Sequence, residues 1–344
     1  MFFILGSFLQ IHGQEHSISM EVQLDDNEDI LQIHQQIEYY NNSDSTLTEI
    51  YLHNWVNSYK NKKAPLAKRL IEDYDKSLYF ARKKDRGYTN IEKITINAEN
   101  ISFLALENNQ IDIVKLILNS PLESKKSTTI HIRYIVKIPN AKFTGYGKTK
   151  TGYHLRYWYL IPAVFEDHWK LMSNLNMDDL ISNISDYSIK INLPKYYYLS
   201  SNLNQQKIQK KETNEFVLTG NKKTEVLLNI DLKKNFKSFK TNDVDIITDL
   251  YNRAIDKKLT TDILNRQLTF IEDFLGEYPH KELFVDKVSQ NKNPIYGLNQ
   301  LPSFIRPFPD VFEWDITILK ALSKKFIENI ILVDKRKDYW ITDG

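Results

Sequence analysis

Alternation of apolar and polar residues is the strongest constraint that this chain places on its fold. Ile18, Met20, Val22 and Leu24 alternate with polar residues, and the same pattern recurs further along. The recurrences lie at 31–39, 130–138, 187–193, 216–218 and 226–230. A period of two places one face of a strand in a core and the other in water. Turn-forming Asn, Ser, Asp and Gly residues separate the runs, so residues 15–240 are predicted to form an antiparallel β-sandwich. One interruption, residues 65–84, is charged and helix-like, and is predicted to be an insertion.

After residue 240 the apolar period lengthens to that of an α-helix, which predicts a second domain over residues 241–344. A Gly at position 276 stands where a helix C-cap is expected. The last stripe predicts a helix, followed by a turn and the start of another helix. The apolar sets are Ile247, Leu250, Tyr251 and Ala254 for a first helix, Leu264, Leu268, Ile271 and Leu275 for a second, Leu283, Val285 and Val288 for a strand, and Leu319, Leu322, Phe326 and Ile330 for the last helix.

Composition excludes several classes of protein. Hydrophobic residues make up 42% of the 344 residues, which is enough to build cores and argues against global disorder. The net charge is +2 with acids and bases interspersed, so no nucleic-acid partner is expected. The chain has no cysteine, which excludes disulfides, thiolate metal ligands and a cysteine nucleophile. No run of apolar residues is long enough to predict a transmembrane helix.

The first fourteen residues are apolar from Phe2 to Ile11 and resemble the hydrophobic and cleavage regions of a secretory signal. A positively charged n-region is missing, so residues 1–14 are interpreted as the remnant of a signal peptide. This interpretation predicts a location in the cell envelope, the periplasm or outside the cell. The alternative is an ordinary N-terminal strand in a cytoplasmic protein.

Three stretches carry a resemblance to a known family. They are YYNNSDSTLTEIYLHNW at 39–55, RYWYLIPAVF at 156–165 and FIEDFLGEYPHKELFV at 270–285. In this order they resemble the aminopeptidase N-like (gluzincin) zinc metallopeptidases, especially the bacterial ones. The resemblance implies an N-terminal saddle-shaped β-sandwich followed by a thermolysin-like, mainly helical catalytic domain. Because that catalytic domain would continue past Gly344, residues 241–344 are expected to be only its first part.

The family's zinc motif is H-E-x-x-H followed, after eighteen residues, by Glu, and it falls on the last helix of this chain. Lys320 and Lys324 stand at the two histidine positions, Ala321 at the general base, and Asp343 at the third ligand. The family's substrate-gripping G-x-M-E-N loop falls on a segment in which the Gly is kept and the glutamate is not recognisable. The resemblance therefore implies substrate contacts at Gly297, Leu298, Asn299 and Gln300.

The residue types at these positions do not suit zinc. Zinc is bound by imidazole, thiolate or carboxylate, whereas a lysine ammonium is a cation with no free lone pair. Two lysines one turn apart would repel the metal, and Asp343 alone cannot hold it. We therefore expect no zinc cofactor and no zinc-dependent hydrolysis.

Two interpretations of this helix remain open. In the first, Thr317, Lys320, Lys324 and Glu328 form the solvated face of an amphipathic helix. In the second, a lysine ammonium fills the space of the lost metal and pairs with Asp343, which joins two helices as zinc would. A buried ammonium is tolerated only when it is well paired.

Three functions are compatible with the sequence. The first is a non-catalytic peptide- or protein-binding role in a metallopeptidase-like protein, that is, a pseudoenzyme. The second is an active zinc aminopeptidase that uses ligands not identified here or missing from the chain. The third is a structural β-sandwich module of the cell envelope. The other histidines give weaker indications of a functional site. His131 lies in a strand pattern, and His280 follows a turn. His154 and His168 flank aromatic residues typical of a sandwich core.

Overall fold

The computed structural model describes residues 15–106, 110–242, 244–292, 305, 308–330 and 334–338. The predicted signal remnant at 1–14 lies outside these residues. The described part of the chain is mostly β-sheet with few helices. None of its helices is long and apolar enough to cross a bilayer.

Strands occupy the chain almost continuously up to residue 248. They are β1 (His16–Asp25), β2 (Ile30–Tyr40), β3 (Leu47–His53), β4 (Tyr88–Ile96), β5 (Glu99–Asn100), β6 (Phe103–Ala105), β7 (Ile113–Leu122), β8 (Ser127–Lys137), β9 (Gly147–Lys148), β10 (Gly152–Leu155), β11 (Ile161–Pro162), β12 (Ser185–Pro194), β13 (Tyr198–Ser201), β14 (Asn204–Gln209), β15 (Thr213–Lys223), β16 (Leu228–Asp231), β17 (Lys237–Lys240), β18 (Asp245–Thr248) and β19 (Glu282–Val285). The α-helices are α1 (Pro65–Glu72), α2 (Lys257–Leu275), α3 (Lys287–Lys292) and α4 (Asp310–Ile330). Short 3-10 helices lie at Trp55–Tyr59, Lys83–Asp85 and Ala141–Phe143.

The largest sheet has eight strands in the order β14-β15-β12-β1-β2-β8-β4-β5. All its pairs are antiparallel except β1 with β12, which run parallel. Two four-stranded sheets, β13-β16-β10-β9 and β11-β3-β7-β6, supply the other layer. Residues from all three sheets share one continuous apolar core. The predicted β-sandwich is confirmed, because the alternating runs bury one face of β1, β2, β8 and β12.

The insertion at 65–84 is α-helical only over α1, and its end overlaps the 3-10 helix Lys83–Asp85. Pro65 stands at the first helical position, where its missing N–H removes no helical hydrogen bond. Leu66 and Ala67 are buried and attach the helix to the sandwich core.

A second, smaller core lies in the C-terminal part. It combines a three-stranded sheet, β17-β18-β19, with helices α2 and α4. Helix α2 confirms the predicted second helix, and Gly276 caps it with a φ of 88°. The predicted domain boundary after residue 240 falls between the paired strands β17 and β18, and remains a prediction.

The helix predicted from Ile247, Leu250, Tyr251 and Ala254 is wrong. Ile247 lies in strand β18, which pairs antiparallel with β17 and parallel with β19. Four residues are too few for periodicity to separate a buried strand from a helical turn. The predicted strand through Val288 also ends earlier, at Val285, and Val288 belongs to α3.

Val288 packs against the sandwich core, at the point where Gly145 approaches it. Gly145 has a φ of 81°, and a Cβ added there would lie 2.9 Å from Val288 Cγ1. Gly276 has a similar φ but nothing within 4 Å of such a Cβ. A side chain at position 276 would therefore introduce backbone strain alone, whereas one at position 145 would add a steric contact with Val288.

We expect Gly276→Ala to lower the free energy of unfolding by about 1–3 kcal/mol, the usual range for a disfavoured backbone conformation. Gly145→Ala should lower it further, because it adds the contact with Val288. Urea unfolding of both variants, and of Gly145→Ala combined with Val288→Ala, measures the difference. Equal losses for the two glycine variants would contradict a close contact at Val288.

Candidate functional site

Helix α4 carries the positions that align with the zinc motif. Its apolar stripe packs against β19 and α2, which fixes the rotation of the helix. Ala321 and Lys324 are buried, with 4% and 8% of their surface exposed, whereas Lys320 is half-buried. Asp343 and the predicted substrate loop, which comprises Gly297, Leu298, Asn299 and Gln300, lie outside the described residues. The predicted pairing of a lysine with Asp343 therefore stays a prediction.

The solvated-face interpretation of α4 is wrong for two of its residues. Lys324 is buried, and only 6% of the Glu328 side chain is exposed. The reason is that α4 is covered on more than one side. Its apolar stripe meets the C-terminal core, and a polar side meets Glu225 from the sandwich.

The contact between α4 and the sandwich is ionic. Lys325 Nζ lies 2.7 Å from Glu328 Oε2 on the same helix and 3.4 Å from Oε1 of Glu225. Only 5% of the Lys325 side chain is exposed. Lys335, beyond the end of α4, places its Nζ 2.6 Å from the other oxygen of Glu328. Each carboxylate on this path therefore has an ammonium partner.

On the sandwich side the same path continues through Arg156. Its Nε donates to Glu225 Oε2 at 2.6 Å and its Nη2 to Oε1 at 3.2 Å, a two-point contact that suits the planar guanidinium. Its Nη1 donates to the Met177 carbonyl at 3.0 Å and pairs with Asp178. Asp178, Arg156, Glu225, Lys325, Glu328 and Lys335 thus alternate in charge, and we call them the ionic chain.

The electrostatics of the ionic chain favour the charged forms of Glu225, Lys325 and Glu328. Burial alone would raise the pKa of Glu328, but Lys325 and then Lys335, Arg156 and Lys324 hold it well below its usual range. Burial likewise opposes ionisation of Glu225, yet Arg156 and Lys325 lower its pKa. Burial would lower the pKa of Lys325, and the two carboxylates raise it instead.

A second ion pair joins the same two parts of the structure. Arg336 Nε lies 2.5 Å from Asp179 Oδ2, and Arg336 also donates to the Ser173 carbonyl. Asp179 adjoins the Asp178 end of the ionic chain. The segment that follows α4 is therefore attached to the sandwich independently of the helix.

These residues do not fit zinc. Lys320, Lys324 and Lys325 are ammonium donors, and the partners of Lys325 stabilise its protonated form. In the described ranges, no three His, Cys, Asp or Glu side chains converge in a geometry that could hold a metal ion. The contacts that the structure describes at this site are ion pairs between protein groups.

Sequence reasoning missed Arg156, Glu225 and Lys325 as site residues. Lys325 had a local signal, because it follows Leu322 by three residues and precedes Phe326 on the apolar stripe. The aromatic residues near His154 behave as predicted, since Tyr157, Trp158 and Tyr159 are buried in the sandwich core. His131 is exposed on β8.

No protein-family model and no curated protein matches this sequence. Among solved structures, the fold is similar to that of M1 zinc metallopeptidases, and the described β-rich part corresponds to their N-terminal β domain. A mutant of a two-domain M1 zinc metallopeptidase bound to L-arginine aligns with a TM-score of 0.56 and 11% identity, covering 96% of this chain and 68% of that one.

The M1 zinc metallopeptidase from Deinococcus radiodurans aligns with a TM-score of 0.54 and 12% identity, over 96% of this chain and 67% of that one. A mutant from the same organism, bound to a Tyr-Ser-Ala substrate, aligns with a TM-score of 0.54 and 11% identity, over 96% of this chain and 68% of that one. At these identities the likeness establishes a shared fold.

We expect Lys325→Met to lower the free energy of unfolding by about 3–5 kcal/mol, because it removes a positive charge that pairs with the buried carboxylates of Glu225 and Glu328. The matched variant Lys320→Met removes a half-buried lysine of the same helix and should change it by about 0.5 kcal/mol or less. Urea unfolding measures both.

The double variant Lys325→Met, Glu328→Gln removes one of the uncompensated carboxylates and should recover part of the loss. If Lys320→Met is as destabilising as Lys325→Met, the ionic chain is not the main contact between α4 and the sandwich.

Proposed function

We propose that this chain is an aminopeptidase N-like metallopeptidase homologue that does not hydrolyse peptides through zinc. The observation that carries the proposal is the burial of lysine ammonium groups on helix α4, at and beside the positions that align with the zinc ligands. The shared fold with M1 zinc metallopeptidases over 96% of the chain supports the alignment.

Loss of catalysis follows from three positions of the motif. Lys320 and Lys324 offer no lone pair to the metal, and Ala321 offers no carboxylate to activate water. The absence of a general base alone would cost about 10²–10⁴-fold in rate. Restoring one residue would therefore not restore hydrolysis.

The domain organisation belongs to the same proposal. Residues 15–240 form the aminopeptidase N-type sandwich, and residues 241–344 belong to a thermolysin-like, mainly helical peptidase domain. Residues 1–14 act as a secretory signal, and the protein then resides in the cell envelope, in the periplasm or outside the cell.

The retained role is binding of a peptide or protein between the two parts. The ionic chain supports this role, because it holds α4 against the sandwich through contacts between protein groups alone. Gly297, Leu298, Asn299 and Gln300 are the proposed contacts for the ligand. The alternatives are an active zinc aminopeptidase and a purely structural module of the cell envelope.

The purified protein should contain far less than one zinc ion per chain and should not cleave aminoacyl fluorogenic substrates. Elemental analysis and a cleavage assay with and without chelator test this. The variant Lys320→His, Ala321→Glu, Lys324→His, Asp343→Glu serves as the positive control for metal uptake. Stoichiometric zinc in the unmodified protein would contradict the loss of the metal, and hydrolysis that a chelator abolishes would establish an active peptidase instead.

The tripeptide Tyr-Ser-Ala should bind and stay intact. Isothermal titration calorimetry gives its affinity, and mass spectrometry shows whether it is cleaved. Gln300→Ala should weaken binding by about three- to tenfold, the effect of one hydrogen bond. Gln206→Ala, on the exposed strand β14, is the matched control and should leave the affinity for the tripeptide unchanged. Absence of binding at millimolar peptide would favour the structural module.

A further inference from the structure

The outward face of the eight-stranded sheet carries a polar pocket that the proposed function does not use. Its volume is about 550 Å³, and it is lined from strands β1, β2, β4, β8 and β12. None of its lining residues belongs to the ionic chain. Its principal polar residues are Ser19, Glu21, His34, Gln36, Lys93, Thr95, His131, Arg133, Ser188 and Lys190.

Strand register arranges these side chains in two rows across the sheet. The charged row runs Lys190, Glu21, His34, Arg133, Lys93 from β12 to β4. The row beside it runs Ser188, Ser19, Gln36, His131, Thr95. Side chains directly opposite on neighbouring strands lie about 5 Å apart at Cβ. Each row is therefore a continuous line of polar groups.

One end of the charged row places two cations side by side. Lys93 pairs in register with Arg133, an arrangement that destabilises a sheet because like charges face each other. The one carboxylate among the pocket's lining residues, Glu21, is separated from Lys93 by the two strands β2 and β8, and it has Lys190 opposite it on β12. Within the described ranges, neither Lys93 nor Arg133 has an ion-pair partner.

A β-bulge between Ile91 and Lys93 produces this arrangement. Glu92 is the extra residue, so Glu92 and Lys93 both stand opposite Arg133, although neither cation forms an ion pair with Glu92. The bulge keeps Ile94 facing the core, where it is buried, and at the same time brings Lys93 opposite Arg133. The adjacency of the two cations is thus set by the register of the sheet.

We propose that this pocket binds a sugar phosphate. Arg133 and Lys93 suit a phosphate group, since a guanidinium offers paired donors and an ammonium adds a point charge. Hydroxyl, amide and imidazole groups of the neighbouring row match the hydroxyl groups of a sugar. The lining has no Phe, Tyr or Trp on which a nucleobase could stack, which favours a sugar over a nucleotide.

Calorimetric titration of the full chain with glucose 6-phosphate, inorganic phosphate and glucose tests the proposal. Glucose 6-phosphate should bind most tightly, inorganic phosphate more weakly, and glucose not detectably. Equal affinity for glucose and glucose 6-phosphate would overturn the role of the cations. Equal affinity for inorganic phosphate and glucose 6-phosphate would overturn the role of the sugar.

Variants separate binding from folding. Lys93→Gln combined with Arg133→Gln should weaken glucose 6-phosphate at least about tenfold through lost charge-assisted hydrogen bonds. The same variant should melt no lower than the unmodified protein, because it relieves a like-charge pair. Gln36→Ala should reduce the preference for glucose 6-phosphate over inorganic phosphate.

Lys211→Gln, in an exposed turn, is the matched control and should leave binding unchanged. Binding that survives the Lys93→Gln, Arg133→Gln variant would place the ligand elsewhere and overturn the proposal. A large drop in melting temperature for that variant would show that the cation pair stabilises the sheet, which also contradicts it.

Discussion

The contact between Lys325 Nζ and Glu225 Oε1, 3.4 Å apart, is the buried ion pair through which helix α4 meets the sandwich. Both side chains are buried, and a buried charge is costly to fold unless it is compensated. Compensation is complete only when all six members of the ionic chain are in place, three acids and three bases. The position of α4 and the conformation of the segment around Arg156 therefore both depend on pairing the charge of Glu225.

A network of ion pairs can join parts of a protein as a bound metal does, but it does not supply the metal's catalytic chemistry. Zinc joins its ligands in a fixed tetrahedral geometry and also polarises bound water. An ammonium offers three donors and can join carboxylates on different elements, but it cannot activate water. Lys325 acts in this way on α4, and Lys324 helps to lower the pKa of Glu328. The predicted pairing of a lysine with Asp343 stays a prediction, and the carboxylates that Lys325 contacts are Glu328 and Glu225.

The sandwich could be predicted because each long strand repeats its pattern many times, as in β2 and β8. Strand β18 could not, because it has four residues and takes its stability from β17 and β19. Likewise, Glu225 and Lys325 lie 100 residues apart, and no local pattern indicates that they meet. Lys324 and Glu328 read as solvated because their spacing fits one face of a helix. Only the tertiary structure shows that the sandwich covers that face.

Charge is handled in opposite ways in two places of this molecule. In the ionic chain, buried charges alternate in sign and each has a partner, so that the network favours one arrangement of the chain. On the outward sheet face, Lys93 and Arg133 repel each other in the open, where folding gains nothing from their proximity. An arrangement that folding does not favour is better explained by a ligand that neutralises it. The charges that hold this protein together are therefore distinct from those that we infer to contact a ligand.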